Sequence, residues 1–534
     1  MSIRGFQRTK FGTVMAPIAV IVTGWASAQA ILDSRYYYLL APLVVVTTLL
    51  VVRQILKDWR TGILCFLAWM SFEDLVRKYM GNNMAIYFAK DALLAVCCLS
   101  FYATRGSKRF FQTTPKFVLP LIFFFFWSLL EAFNPNSPSI WYGMLGLKLY
   151  FGYVPLFFLG YALLKNESDL RRFLSFNMII AVIISLIAVA QGVTGKVLLA
   201  PDELAPDIRE LGSLVRTAPI TGETFLRTPS VFVSDGRFGG YVLLAFLLGL
   251  GATTYFFLRS LRTRKWLIVA MVLIMAGILI SGVRSALMWA IISFAVFILA
   301  FVPEMQLKSA TRRQITTAVS ATAILATLAF VFLSFYYPDA LSSRVAFYGQ
   351  TLLPSSSAFE LVNRFWDYPT TELLKAFSYP SWPLGYGTGT CSVGTQYVAR
   401  IFGASRTNVG VESGYGNLIL EMGIPGLLLW LIWTSVLLVA EWKVVRQLRR
   451  TALFPLGFVI FWFTFITLVP GMISGNGLEN YITSAYLFLL AGILFGLPAL
   501  IQADSRVPTP IRRDEKAVPA IPRRPVGSSL PLAN

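Results

Sequence analysis

The chain of 534 residues contains no histidine. That absence removes imidazole general bases, Ser-His-Asp triads and histidine-ligated metal centres. Cysteine is scarce as well. Of the four present, Cys65, Cys97 and Cys98 fall in apolar runs and Cys391 stands apart, so neither an exported intramolecular disulfide nor a thiolate metal site is expected. Charged residues amount to 13%, against about 25% in soluble globular chains, which excludes an ordinary soluble fold. There is no P-loop, no glycine fingerprint following a strand and no visible internal repeat, so neither a nucleotide nor any other cofactor is expected.

What the chain has in excess is hydrophobicity, 56% of all residues, delivered in uncharged runs near bilayer-spanning length. The expected fold class is all-α: a polytopic integral membrane protein with about 12–14 transmembrane helices and a large periplasmic loop. Candidate spans cover 11–32, 36–52, 61–76, 84–103, 117–133, 140–164, 172–192, 231–258, 266–282, 285–302, 315–336, 413–440, 453–470 and 480–500. Those at 61–76 and 266–282 are short enough to be re-entrant.

The net charge of +20 is explained by topology. Alternate connections hold Arg4/Arg8/Lys10, Arg53/Lys57/Arg60, Arg105/Lys108/Arg109/Lys116, Lys165/Arg171/Arg172, Arg259/Arg262/Arg264/Lys265, Lys308/Arg312/Arg313 and Lys443/Arg446/Arg449/Arg450. Basic clusters separated by single spans follow the positive-inside rule, so both termini are expected in the cytoplasm. Insertion accounts for these clusters better than nucleic-acid binding does. The resulting organisation is a cytoplasmic N-terminus (1–10), transmembrane helices (11–192), a periplasmic loop (193–230), further spans (231–336), a large periplasmic catalytic loop (337–411), C-terminal spans (412–500) and a basic, proline-rich cytoplasmic tail (501–534) expected to be disordered and to touch anionic lipid. Ala28-Gln29-Ala30 after the first apolar run also has the form of a signal-peptidase site, and both readings of that end stay open.

With imidazole and metal excluded, chemistry falls to carboxylates and arginines, and charge at a membrane boundary is a functional hypothesis by default. The outward set is Lys90/Asp91, Lys148, Arg237, Arg284, Arg344, Arg364, Glu412 and Glu479. Lys148 has two open readings, substrate binding and snorkelling to the interface. Arg284 lies in Ser281-Gly282-Val283-Arg284, a hairpin too short for a real loop, where a guanidinium fork must meet an anion, water or a helix end. Glu412 opens a helix, where the macrodipole also favours a carboxylate. Glu421, nine residues on, is about 180° around that helix and about 14 Å deeper, so the two carboxylates are no catalytic pair. Trp382 and Tyr386 are candidates for stacking on sugar faces, or for anchoring at the interface.

Arg284 in its short hairpin, Arg364 in the large loop, a Pro-x-x-Leu-Gly-x-Gly run from Pro380 to Gly387 with one residue of extra spacing, and Asn417-Leu418-x-x-Glu421-x-Gly423-x-Pro425-Gly426 together resemble the O-antigen ligase and O-antigen polymerase family. The resemblance covers roughly residues 230–440.

That resemblance implies an inverting, metal-independent glycosyltransferase that takes a glycan from an undecaprenyl-diphosphate carrier on the periplasmic face and passes it to a glycan or lipid-linked acceptor. By it Arg284 and Arg364 would hold the diphosphate and Glu412 would deprotonate the acceptor, with Arg237, Arg344, Lys148, Trp382 and Tyr386 as further substrate contacts. Ligases of the family typically carry histidine where this chain has Glu412. The alternative is a polysaccharide flippase or other secondary transporter, which should show paired half-repeats and short loops.

Overall fold

The computed structural model describes residues 24–25, 41–80, 83–105, 115–201, 214–259, 264–304, 328, 331, 335–356, 359–360, 362–392, 394–405, 409–473 and 475–506. The expected spans 11–32 and 315–336, the Ala28–Ala30 site and the tail beyond 506 lie almost wholly outside the described residues. The helices are α1 (Ala41–Lys57), α2 (Trp59–Tyr79), α3 (Met84–Arg105), α4 (Val118–Glu131), α5 (Ile140–Phe151), α6 (Pro155–Leu163), α7 (Glu167–Thr194), α8 (Asp235–Leu258), α9 (Arg264–Ser281), α10 (Arg284–Glu304), α11 (Pro338–Leu352), α12 (Tyr368–Ala376), α13 (Thr395–Phe402), α14 (Gly414–Gln447), α15 (Phe454–Leu468), α16 (Pro470–Ile473) and α17 (Tyr481–Arg506).

The protein is an all-α, multi-pass membrane protein. Among the described residues eight helical segments are long and apolar enough to cross a bilayer, and Val118–Glu131 and Trp266–Ser281 are shorter apolar helices. The expected single span 140–164 is one of the eight, made of α5 and α6 in succession, with Pro155 at the first position of α6, where its missing N–H costs nothing. The expected span 61–76 is part of α2, which runs three residues further and buries Glu73, Asp74, Arg77 and Lys78 in its last turns. Helix starts follow their caps: Asn166 for α7, Ser234 for α8 and Ser413 for α14 each accept a hydrogen bond from the first turn.

Close packing inside the bundle uses glycine rather than shape alone. A side chain on Gly160 would strike the Leu489 carbonyl, and one on Gly492 the Phe157 carbonyl, so α6 and α17 meet backbone to backbone.

Two devices position the loops. The first is a break in α14. Gly423 has φ 66° and ψ −170°, and Pro425 has no N–H to offer the Glu421 carbonyl. The segment 383–387 fills the gap: Tyr386 N donates to Leu420 O at 2.7 Å, Gly387 N to Glu421 O at 3.0 Å, and Ile424 N donates back to Pro383 O at 3.2 Å. The second is a hairpin, β1 (Val215–Thr217) paired antiparallel with β2 (Thr224–Leu226). It docks on α11 through Phe225 and Phe347, with ring centroids 5.1 Å apart, and through Ile220 N to Gln350 Oε1 at 2.9 Å. The hairpin of the first large loop therefore packs on α11, the first helix of the second.

Candidate active site

Arg284 is the first residue of α10. A cation at the positive end of a helix opposes the macrodipole, so its position is not explained by helix stability. Gly282, at φ +72°, turns the chain out of α9, and a side chain there would meet Phe225 and Arg227. The Arg284 guanidinium pairs with Glu360 (Nη1 to Oε2, 2.8 Å) and lies 5.1 Å from the Phe347 ring centroid. Next to it, Arg227 pairs with Asp235 at 2.7 Å. Burial holds the Arg227 guanidinium below its ordinary value even against the pull of Asp235, and the charges of Arg216 and Arg284 push the same way. Three guanidinium groups thus share one neighbourhood.

Arg344 belongs to the same end of the molecule but does other work. It is 2% exposed and donates to Ile280 O (3.2 Å) and Leu226 O (2.6 Å), so it pins the hairpin and the α9 terminus to α11. Burial pulls its guanidinium below the ordinary value.

Glu412 lies in a second neighbourhood. The sequence suggests the first turn of a helix; in the structure it precedes the capping residue Ser413 and is exposed. The helix start is satisfied without it, by Ser413 Oγ accepting from Gly416 N at 3.3 Å and Asn417 Oδ1 from Val411 N at 3.1 Å. The Glu412 N–H donates to Glu372 Oε2 of α12 at 2.9 Å. Its carboxylate has no hydrogen-bond partner among the described residues.

Around Glu412 the expected aromatics assemble. Trp382 packs edge-on against Phe377 at 5.1 Å, Tyr386 against Tyr379 at 6.3 Å, and the Tyr379 hydroxyl donates to Gly410 O at 3.3 Å. Tyr379, Trp382 and Tyr386 are partly buried on an apolar patch formed by Ala376, Val411, Ile419 and Leu420, and Phe377 is exposed. Arg364 lies in a π-helical turn (Asn363–Asp367) that leads into α12; its side chain lies outside the described residues.

The structure does not gather the expected site at one point. Arg284 and Glu412 share no contact among the described residues, and they are connected through the stretch 360–372, whose first residue pairs with Arg284 and whose last accepts from Glu412.

The glycine-rich run is structural cement. Thr388 N donates to Glu131 O at 3.2 Å and Thr388 Oγ1 to Ser128 O at 2.8 Å, while a side chain on Gly389 would collide with the Tyr142 carbonyl. Glu421 is buried and accepts from Cys391 N at 3.0 Å and from the Tyr150 hydroxyl at 2.9 Å. It ties the loop to α5 and α14.

A third group joins four charges that the sequence reading placed on the outer face, Lys90, Asp91, Lys148 and Arg237, to four that it did not name. Glu73, Asp74, Arg77 and Lys78 of α2 lie inside the bundle with Lys90 and Asp91 of α3, Lys148 of α5 and Arg237 of α8. Arg237 Nη1 reaches both oxygens of Asp74, at 2.8 and 2.9 Å, and Arg77 reaches the same carboxylate at 3.1 Å. Lys90 pairs with Glu73 at 2.8 Å and Lys148 with Asp91 at 2.6 Å. The signal was present as four charges at the end of an apolar run, which hydropathy alone assigns to a loop.

No protein-family model matches this chain, and no curated protein matches it. The resemblance to O-antigen ligases and polymerases therefore rests on the short motifs around Arg284, Arg364, Gly385 and Glu421.

Proposed function

We propose that the protein is a membrane glycosyltransferase of the O-antigen ligase or polymerase type, moving a glycan from an undecaprenyl-diphosphate carrier to an acceptor hydroxyl on the periplasmic face of the inner membrane. The observation that carries the proposal is Arg284 at the positive end of α10 with Arg227 and Arg216 beside it. Such a convergence of cations at a helix N-terminus is suited to an anion. Diphosphate is already a good leaving group, and what it needs is positioning and stabilisation of growing negative charge.

In this reading the acceptor oxygen bonds to the anomeric carbon as the bond from that carbon to the diphosphate oxygen breaks. The electron pair leaves with the diphosphate, toward Arg284 and Arg364. The acceptor proton passes to the Glu412 carboxylate. Inversion requires nucleophile and leaving group on opposite faces of the sugar, so base and arginines belong at different places. Trp382 and Tyr386 offer ring faces near Glu412 for the acceptor sugar. Arg344 contributes by holding the hairpin to α11.

Kinetics separate the roles. Glu412→Gln should lower kcat by about a hundredfold or more, the span of general-base contributions, with little change in the donor KM. Arg284→Ala should raise the donor KM as well as lower kcat. Wild-type rates in both folded variants would refute the assignment.

The transporter reading has one observation in its favour, the charged network inside the bundle. Counterflow of radiolabelled glycan-lipid without formation of any new glycosidic bond would favour it.

A further inference from the structure

The run 376–399, in the middle of the second large loop, carries no charged residue. Charge is harmless to a loop in water and expensive at membrane depth. The path of this run follows the bilayer-spanning segment Ile140–Leu163. A side chain on Gly387 would crowd Ser137, Glu131 and Asn134 at the α4–α5 turn, the mouth of that span. Two residues on, Gly389 lies against Gly146, and a side chain on Gly394 would strike Leu145. The chain then returns. The Phe402 ring stacks on that of Trp141, with centroids 4.1 Å apart and planes 9° from parallel, and the Tyr142 hydroxyl donates to Ser405 O at 2.8 Å. At a rise of about 1.5 Å per residue, Gly146 is about 9 Å along α5 from Ile140, so the segment descends beside α5 to that depth and comes back.

The two halves of this excursion meet different surroundings. Irregular backbone is tolerated in hydrocarbon only where protein covers it, and a stretch that faces lipid must satisfy its own backbone groups. The irregular half, 387–392, is almost wholly buried and is bonded to the bundle: Gly387 N donates to Glu421 O at 3.0 Å, Thr388 N to Glu131 O at 3.2 Å and Cys391 N to Glu421 Oε1 at 3.0 Å. The half that emerges is the helix α13, with apolar residues at 397, 398, 401 and 402. Val398 is buried, while Ile401 and Phe402 are 48% and 47% exposed. Through the Phe402–Trp141 stack their surface continues into Ile140, Trp141 and Met144, which are exposed on the spanning helix. A tryptophan in the first turn of a span is also the usual marker of the membrane interface.

We infer that residues 387–392 and 394–405 form a re-entrant excursion into one leaflet of the bilayer, with α13 as its lipid-facing side and acyl chains as the partner of Ile401 and Phe402. The partner is lipid because the patch extends a face of α5 that, in a bilayer-spanning helix, already meets lipid. Arg400, the first charge after the uncharged run, is exposed in the last turn of α13, where the chain nears the headgroups again and where the macrodipole favours a cation. The second large loop is thereby anchored in the membrane along part of its length, whether or not the chain transfers glycans.

Wild-type, full-length protein in liposomes tests this without any substitution. A phospholipid carrying a diazirine midway along one acyl chain is photolysed, and its adducts are mapped by peptide mass spectrometry; hydroxyl-radical oxidation of a second sample maps the side chains that meet water. Two exposed residues calibrate the reading: Met144 on the spanning helix, and Leu374 of α12, close to Glu372 and Lys375 in sequence. Ile401 and Phe402 should follow Met144, gaining acyl-chain adducts and escaping oxidation, while Leu374 is oxidised and bears no adduct. Oxidation of Ile401 and Phe402 without adducts would place α13 in water and overturn the excursion. Protection from oxidation without acyl-chain adducts, with α13 cross-linking to a second protein chain instead, would make protein the partner of this face and overturn it as well.

Discussion

The Arg284 guanidinium and the Glu360 carboxylate meet at 2.8 Å, across 76 residues of sequence. The pair is part-exposed, 24% and 37% on the two side chains, and pairs of that kind contribute about 1 kcal/mol at most. A carboxylate on the Arg284 guanidinium is a competitor that a diphosphate can displace. Glu360→Gln should therefore lower the donor KM, by no more than about fivefold, as measured by initial rates against donor concentration. A raised KM would show that Glu360 positions Arg284 for the donor.

Glu421 lies within the most recognisable motif, yet its contacts are those of an anchor. Glu421→Ala strands the Cys391 N–H and the Tyr150 hydroxyl and should cost about 2–5 kcal/mol, seen as a lower unfolding midpoint. Glu421→Gln keeps the volume and one acceptor and should cost less. Loss of transfer by Glu421→Gln at an unchanged midpoint would make Glu421 a catalytic group instead.

Gly389 carries a φ of +82° and its missing side chain leaves room for the Tyr142 carbonyl. Gly389→Ala meets both the conformational penalty of about 1–2 kcal/mol and a backbone clash that no rotamer relieves. The expected outcome is loss of folded, monodisperse protein in detergent. Gly403→Ala, at a similar φ of +65° but in open space, should cost only the conformational term.

The large loops should loosen in alkali. Burial pushes the Tyr348 phenol up to about 12 from an ordinary value of 10.0, and pushes the Cys391 thiol well above 9.0. In each case the folded state keeps a proton that the unfolded chain releases. The associated stability is complete below the unfolded value and falls as pH rises past it, for Tyr348 between 10 and about 12. Limited proteolysis of 337–411 should accelerate across that window in the wild type and less steeply in Tyr348→Phe. Equal slopes would remove Tyr348 as the cause.

The helices were legible because long uncharged runs are local signals, whereas the capping residues Asn166, Ser234 and Ser413, equally local, went unread. The charged end of α2 was not legible. Its burial depends on Arg237 and Lys90, which reach it from other helices, and Arg237 lies 163 residues away in sequence. The span 140–164 was read correctly, and its division into α5 and α6 was written in Pro155. Arg284, Arg344, Trp382, Tyr386 and Glu412 were visible as chemistry, whereas their division into two neighbourhoods follows from the pairing of the hairpin with α11 and of Glu372 with Glu412, contacts that leave no local pattern.

The most direct test of the central claim is transfer itself: purified protein in proteoliposomes with undecaprenyl-diphosphate oligosaccharides and their acceptor, in chelator and without nucleotide, the products resolved by size. The account predicts new glycosidic product with release of undecaprenyl diphosphate, abolished by Glu412→Gln and by Arg284→Ala in inserted, folded protein. Movement of intact donor across the bilayer with no new product would contradict it.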